Sequence, residues 1–165
     1  MGHSSDHHNV SNFDKQHAKG VCFEKFVVRL FQPSVFTLLE WRGDKNVDGI
    51  APLSCKNPDL VLCHEMNDSK TFLAVECKYR SNLRDGFILE GPQYDNYEAF
   101  LKKTHIPVNL VVGIGGLAEK PYEVFVIPLK DVTPDLAMSP HQLLYYRRSI
   151  SDQPFCWHPF TRLLQ

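Results

Sequence analysis

Three charged side chains near the middle of the chain could together bind a metal ion. Asp59 precedes one apolar run, and Glu76 and Lys78 lie at the end of the next. Between these runs, Asn67 and Asp68 are typical turn residues, so the runs are predicted to form a hairpin with Asp59 opposite Glu76. Opposed residues on one face have Cβ atoms about 4.5–5.5 Å apart. Two carboxylates that close repel each other unless one is protonated or a cation lies between them.

Strand periodicity places the lysine on the same face as the two acids. Because side chains alternate along a strand, Glu76 and Lys78 should share a face with Asp59, while Cys77 points the other way. Oxygen ligands with an ammonium group beside them suit Mg²⁺ or Mn²⁺. A register shift of one residue would turn Asp59 away from Glu76. The alternative interpretation is an exposed hairpin end with a surface ion pair between Glu76 and Lys78.

The elements that must position these residues can be predicted in the order α-β-β-β-α-β-β. The central hairpin uses residues 57–62 and 72–79, and a helix separates it from the next strand, which permits a parallel connection and a mixed sheet. Hydrophobic periodicity and Gly or Pro punctuation predict the remaining elements as follows: helix 15–31, strand 35–41, loop 42–56, loop 79–91, helix 92–103, strands 108–114 and 122–129, a short helix 143–149 and an aromatic flap 155–160.

The two long helices carry polar side chains that invite a functional interpretation. Glu24 falls inside the apolar arc of helix 15–31, and a carboxylate on a buried stripe needs a partner. It could instead be a surface glutamate at the edge of the stripe. Gln93 and Tyr97 are four residues apart and share one helical face, a spacing that ordinary amphipathic patterning also produces.

Composition describes a soluble globular chain. Its 165 residues are 43% hydrophobic and 22% charged, with a net charge of −1, which argues against a non-specific nucleic-acid coat and less strongly against an enzyme. We expect a polar disordered tail over residues 1–14 and a single domain over 15–165. No apolar run is long enough for a bilayer and no secretory signal precedes the fold, so a cytoplasmic location is expected. The five cysteines form neither a disulfide framework nor a CxxC pair.

Taken in order, these residues resemble the motifs of the PD-(D/E)xK nuclease superfamily. Pro58-Asp59 matches the first half of its signature and Glu76-Cys77-Lys78 the second. Gly20-Val21-Cys22-Phe23-Glu24 is similar to the helical G-h-x-x-E motif of the RecB-like branch, and Gln93 with Tyr97 to its Q-x-x-x-Y. The resemblance covers about residues 20–129. A helicase portion and the iron–sulfur cysteines of some RecB-like nucleases have no counterpart, and the sequence after Leu129 matches nothing recognisable.

The resemblance implies an α/β, restriction-endonuclease-like α-β-β-β-α-β core with a central mixed sheet flanked by helices. It also implies a Mg²⁺- or Mn²⁺-dependent deoxyribonuclease. Asp59, Glu76 and the backbone carbonyl of Cys77 would ligate the metal, and Glu24 would hold a metal-bound water or help to bind a second ion. Lys78 would orient or deprotonate the attacking water, and Gln93 and Tyr97 would position Lys78, the water or the substrate backbone.

DNA is the expected partner, RNA is not excluded, and a homodimer is possible because double-strand cleavage often uses a symmetric dimer. Six basic residues are candidate phosphate contacts, although solvated surface charge is the more common explanation for each one taken alone: Arg80, Arg84, Lys102, Lys103, Arg147 and Arg148. Two alternative functions are a non-catalytic nucleic-acid-binding module that retains the fold and a structural or assembly protein in which the acidic pair is incidental.

Overall fold

The computed structural model describes residues 6–42, 56–84 and 86–165, with side chains from Lys15 onward. Their helices and strands are α1 (Asp6–Arg29), β1 (Phe36–Trp41), β2 (Leu60–Met66), β3 (Ser69–Arg80), α2 (Gly91–Thr104), β4 (Val108–Ile114), β5 (Glu123–Pro128), α3 (Pro140–Leu143), β6 (Trp157–His158) and β7 (Leu163–Leu164), with 3₁₀ turns at Leu129–Asp131 and Leu144–Tyr146. None of the described helices has the length and apolar character needed to cross a membrane.

The first five strands form one mixed sheet in the order β1-β2-β3-β4-β5. Strands β3 and β4 are parallel and are connected through α2, whereas the other neighbours are antiparallel. A parallel pair needs a crossover of this length, since a hairpin turn can join only antiparallel strands. The predicted fold class, a mixed central sheet flanked by helices in a restriction-endonuclease-like α/β arrangement, is confirmed.

The β2–β3 hairpin has the register predicted from its turn. Leu60 pairs with Val75, and the pairing continues to Met66 and Ser69. Asn67 and Asp68 close the hairpin with φ values of 51° and 61°. Positive φ at both central residues is the geometry of two-residue hairpin turns, which Asn and Asp tolerate better than most side chains.

Each face of the sheet has its own core. On one face α1 packs through Phe23 and Val27, both fully buried, against residues that include Val75. On the other face α2 packs through Tyr97 and Phe100 against residues that include Ala74 and Leu110. Since Glu76 and Lys78 alternate with Val75 and Cys77, the polar end of β3 faces α2.

Three parts of the chain differ from the predicted elements. Helix α1 begins at Asp6, so residues 6–14, predicted as part of a disordered tail, are helical. The predicted helix 143–149 is wrong: α3 covers Pro140–Leu143, a 3₁₀ turn follows, and Arg147 is extended and bridges to Phe125. Most of the predicted loop 42–56 lies outside the described residues.

The predicted aromatic flap is split between core and surface. Phe155 and Trp157 are buried in the α1-face core, and the Trp157 indole donates a hydrogen bond to Thr71 Oγ1 at 2.9 Å. Phe160, by contrast, is fully exposed. The C-terminal segment is therefore anchored by two of its aromatic side chains.

Candidate active site

The hairpin brings Asp59, Glu76 and Lys78 together at one end. Asp59 directly precedes β2, and extending the observed register by one residue places it opposite Glu76. The backbone N–H of Cys77 donates a hydrogen bond to Asp59 Oδ2 at 2.8 Å, which fixes the aspartate against β3. Lys78 Nζ lies 2.7 Å from Glu76 Oε1 in a largely buried ion pair, with side-chain exposures of 15% and 7%.

The electrostatics of this cluster are dominated by negative charge. Burial raises the pKa of Asp59 well above its ordinary value, and the nearby carboxylates of Glu76 and Glu24 raise it further. The Cys77 N–H and the Lys78 ammonium oppose that rise. A cation bound beside Asp59 would relieve the repulsion between these carboxylates and would favour the ionised form of Asp59.

Glu24 reaches this neighbourhood from α1 and is held by an indole. It is 8% exposed, and its Oε2 accepts a hydrogen bond of 2.7 Å from Trp41 Nε1, at the end of β1. The carboxylate on the apolar arc therefore has the partner that its burial requires. Within the described residues, no three His, Cys, Asp or Glu side chains form a group with metal-ligand spacing.

Tyr97 contacts the site from α2. Burial, the Glu76 charge and a hydrogen bond to Glu76 all raise the pKa of the Tyr97 phenol. The phenol therefore stays protonated and can keep donating to Glu76. Gln93 lies one helical turn earlier and is half-buried; among the described residues its side-chain amide makes no hydrogen bond.

Cys77 turns its thiol away from these groups, as strand alternation predicts. The thiol packs against the α1-face core. Burial raises its pKa well above the ordinary value, and the charges of Asp59 and Glu76 raise it further. The thiol is thus a poor nucleophile and a poor metal ligand. The main chain of Cys77, by contrast, contacts Asp59 through its N–H.

Arg42 is a residue of the site that sequence reasoning missed. Its backbone N–H donates to the Asp59 carbonyl at 2.7 Å, and its Nη1 donates to the Pro58 carbonyl at 3.0 Å. The other guanidinium arm forms an ion pair with Glu40. Burial lowers the pKa of Arg42, and the Asp59 charge opposes that shift. The sequence carries no signal for the position of Arg42 next to Asp59, because that position follows from the β1–β2 pairing, in which Trp41 lies opposite Leu60.

The six predicted phosphate contacts lie in different environments. Arg80 is the last residue of β3 and Arg84 follows the strand, and both are exposed. Lys102 and Lys103 are exposed in the last turn of α2. Lys102 pairs with Glu98 at 2.7 Å, and Arg147 pairs with Glu123 at 3.1 Å.

Arg148 must be removed from this set. It is 9% exposed, its guanidinium donates to the carbonyls of Ser151, Gln153 and Pro154, and it lies 4.3 Å from the centre of the Phe155 ring. Its donors are directed at the chain's own backbone, so its role is structural.

Comparison with known proteins adds information on the fold. Neither a protein-family model nor a curated protein matches the chain. Among solved structures, a Holliday junction resolvase, Hjc, from the archaeal hyperthermophile Archaeoglobus fulgidus is similar, with a TM-score of 0.55 and 16% sequence identity over 76% of this chain and 93% of that one. At this identity the similarity establishes the fold alone.

Proposed function

We propose that this chain is a divalent-metal-dependent nuclease that hydrolyses phosphodiester bonds in DNA. The observation that carries the proposal is the joint placement of Asp59, Glu76 and Lys78 at one end of the hairpin, with Lys78 Nζ 2.7 Å from the Glu76 carboxylate. A restriction-endonuclease-like fold and a similar DNA junction resolvase favour the same chemistry.

Asp59 and Glu76 would hold the cation, with the backbone carbonyl of Cys77 as a further oxygen ligand. Their charges and the raised pKa of Asp59 suit a hard cation such as Mg²⁺ or Mn²⁺, which prefers carboxylate and carbonyl oxygens. When bound, such an ion neutralises phosphate charge and lowers the pKa of water. Glu24 is held by the Trp41 hydrogen bond, and its charge raises the pKa of Asp59. It would supply a further carboxylate for a second ion or an ordered water.

The other residues would orient and stabilise the reacting groups. The Lys78 ammonium, fixed by Glu76, would orient the attacking water and offset the charge that develops on the phosphate oxygens. Tyr97 would keep Glu76 in position through its hydrogen bond, because its phenol does not ionise at neutral pH. Gln93, whose amide makes no hydrogen bond to any described residue, would contact the water or the DNA backbone.

Several finer assignments belong to the same proposal. DNA is preferred to RNA because the similar solved structure is a Holliday junction resolvase. Membership of the PD-(D/E)xK superfamily, in its RecB-like branch, would account for the Glu24, Gln93 and Tyr97 positions. A homodimer and a cytoplasmic location complete the proposal, as does one domain spanning residues 15–165.

The test is cleavage of plasmid, single-stranded and four-way-junction DNA with Mg²⁺, Mn²⁺ or EDTA. We expect metal-dependent cleavage that falls at least about 100-fold in Lys78→Met and in Asp59→Ala. Lys70→Met is the matched control, since Lys70 lies on the same strand, also pairs with a glutamate (Glu65, 3.3 Å), and is exposed at the other end. It should retain activity within about twofold.

Three results would contradict the nuclease proposal. Cleavage by Lys78→Met at the wild-type rate would show that any activity arises elsewhere or from a contaminant. Salt-sensitive DNA binding without cleavage in any metal would indicate a non-catalytic binding module. Absence of both binding and cleavage would favour an assembly protein.

A further inference from the structure

A groove of about 370 Å³, lined by both polar and apolar side chains, adjoins the candidate active site on the α2 face of the sheet. It runs between the β1–β2 edge and the C-terminal half of α2. Its lining includes three cations, one acid and two amides: Arg42, Lys56, Lys103, Glu40, Asn57 and Asn96. Asn57 lies two residues before Asp59, so at most about 7 Å of extended backbone separates the groove wall from the candidate active site.

One of the groove cations is held rigidly. Arg42 donates to the Pro58 carbonyl, pairs with Glu40, and lies 5.9 Å from the centre of the Phe100 ring. Its side chain is only 15% exposed. A guanidinium fixed in this way loses little conformational entropy when an anion binds beside it.

The other two groove cations are free to bind. Lys56 and Lys103 are exposed, and neither forms an ion pair within the part of the chain that the structure describes. Lys102, the immediate neighbour of Lys103, is also exposed, but it is paired with Glu98 and does not line the groove. Among the described residues that line the groove, three cations against the single acid Glu40 leave a positive balance.

The groove also offers neutral hydrogen-bond donors. Across the described residues, the side-chain amides of Asn57 and Asn96 make no hydrogen bond, although both are half-buried. Lysine, arginine and asparagine side chains are typical donors to phosphate oxygens in protein–DNA interfaces.

We propose that this groove binds the phosphodiester backbone of the DNA strand adjacent to the bond that is cut. The inference rests on the proposed nuclease function and adds the substrate path. It selects Lys103 from the predicted contacts and excludes Lys102. It also adds Arg42, Lys56, Asn57 and Asn96, which the sequence did not single out.

The test is DNA binding in EDTA, where no metal-dependent cleavage can occur. Fluorescence anisotropy with a labelled duplex is measured for the wild type, Lys56→Gln, Lys103→Gln and the double variant across about 50–200 mM salt. Each single variant should lower affinity about five- to tenfold near 0.1 M salt and reduce the slope of log affinity against log salt by about 0.9, with twice the slope change in the double variant. Lys102→Gln, the matched control, should change affinity less than about twofold.

Equal losses of DNA affinity in Lys102→Gln and Lys103→Gln would contradict the groove proposal, because the overall positive charge of the protein would then explain binding. So would unchanged affinity in the double variant, or no wild-type binding at about 50 mM salt. A parallel Mg²⁺ cleavage assay separates the two proposals. A wild type that cuts DNA while the groove variants bind normally would refute the groove alone. A wild type that binds with the expected salt slopes but never cuts would refute the nuclease alone.

Discussion

At the scale of single residues, Asp59 has the most informative environment. It is anchored by the Cys77 N–H at 2.8 Å, yet Glu76 and Glu24 act against its ionisation. The Cys77 N–H and the Lys78 ammonium favour a charged Asp59, but burial and the two neighbouring carboxylates outweigh them. Proteins often retain a residue that lowers their stability when that residue is needed for function.

We therefore expect Asp59→Asn to stabilise the metal-free protein at high pH. Because the pKa of Asp59 is raised on folding, the folded state holds this proton more tightly than the unfolded state. The associated stability is present at low pH and is lost as pH rises from about 3.9 through the folded-state pKa. Asparagine has no such loss and can keep the Cys77 hydrogen bond. In thermal melts in EDTA at pH 8, the Tm of Asp59→Asn should exceed that of the wild type by about 2–4 °C for each kcal/mol of stability gained. This difference should vanish near pH 4.

Glu119→Gln is the control for this comparison, since it removes one negative charge from an exposed position. Its effect on Tm should be small and nearly independent of pH. A Tm difference between Asp59→Asn and wild type that stayed constant from pH 4 to pH 8 would mean that Asp59 is not electrostatically strained. Adding Mg²⁺ should raise the Tm of the wild type and not that of Asp59→Asn.

At the scale of elements, the sequence predicted the site hairpin because local rules determine it. A two-residue turn at Asn67 and Asp68 leaves only one register that buries the apolar face of both strands. The parallel β3–β4 pair was predictable for a similar reason, since the intervening helix α2 excludes a hairpin.

Contacts between distant elements were not predictable. The Trp41–Glu24 hydrogen bond and the position of Arg42 beside Asp59 both depend on how β1 pairs with β2 and where α1 crosses the sheet. β1 shows no clean alternation, and five of its six residues are exposed. Periodicity therefore gave no register for it.

The closeness of α1 to the sheet leads to a second prediction, at Gly113 on β4. A Cβ at this position would overlap the Phe23 ring of α1, one residue before Glu24. We expect Gly113→Ala to lower the free energy of unfolding by about 1–3 kcal/mol, because overpacking shifts the helix. DNA cleavage should fall as well, since Glu24 moves with Phe23. Urea unfolding and the cleavage assay provide the two measurements.

A double variant separates overlap from an intrinsic effect of alanine. Phe23→Leu should make room, so that Gly113→Ala/Phe23→Leu loses less stability than the sum of the single variants, by about 0.5–3 kcal/mol. Gly20→Ala is the control on α1, where an added Cβ meets nothing within 4 Å. It should stabilise the protein by about 0.5–1 kcal/mol. Strict additivity of the Phe23 and Gly113 effects would rule out the proposed overlap.

At the scale of the whole molecule, the C-terminal segment completes the α1-face core. Phe155 and Trp157 are 3% and 4% exposed there, and Phe155 N–H donates to the Leu30 carbonyl at 2.8 Å. Arg148 holds the approach to this segment by donating to its backbone. Sequence alone could not distinguish Arg148 from Arg147, because the partners of Arg148 are main-chain carbonyls, which every sequence offers equally.

Arg148→Met should therefore impair folding without affecting substrate binding. Methionine can keep the contact with Phe155 but cannot donate to the carbonyls of Ser151, Gln153 and Pro154. We expect a loss of about 2 kcal/mol, seen as a Tm lower by about 4–8 °C, with unchanged DNA affinity and salt slope below the transition. Arg147→Met removes a half-exposed ion pair with Glu123 and should cost no more than about 0.5 kcal/mol. If Arg148→Met were as stable as wild type and bound DNA more weakly, Arg148 would be a phosphate contact after all, and the C-terminal segment would have to be mobile enough to release it.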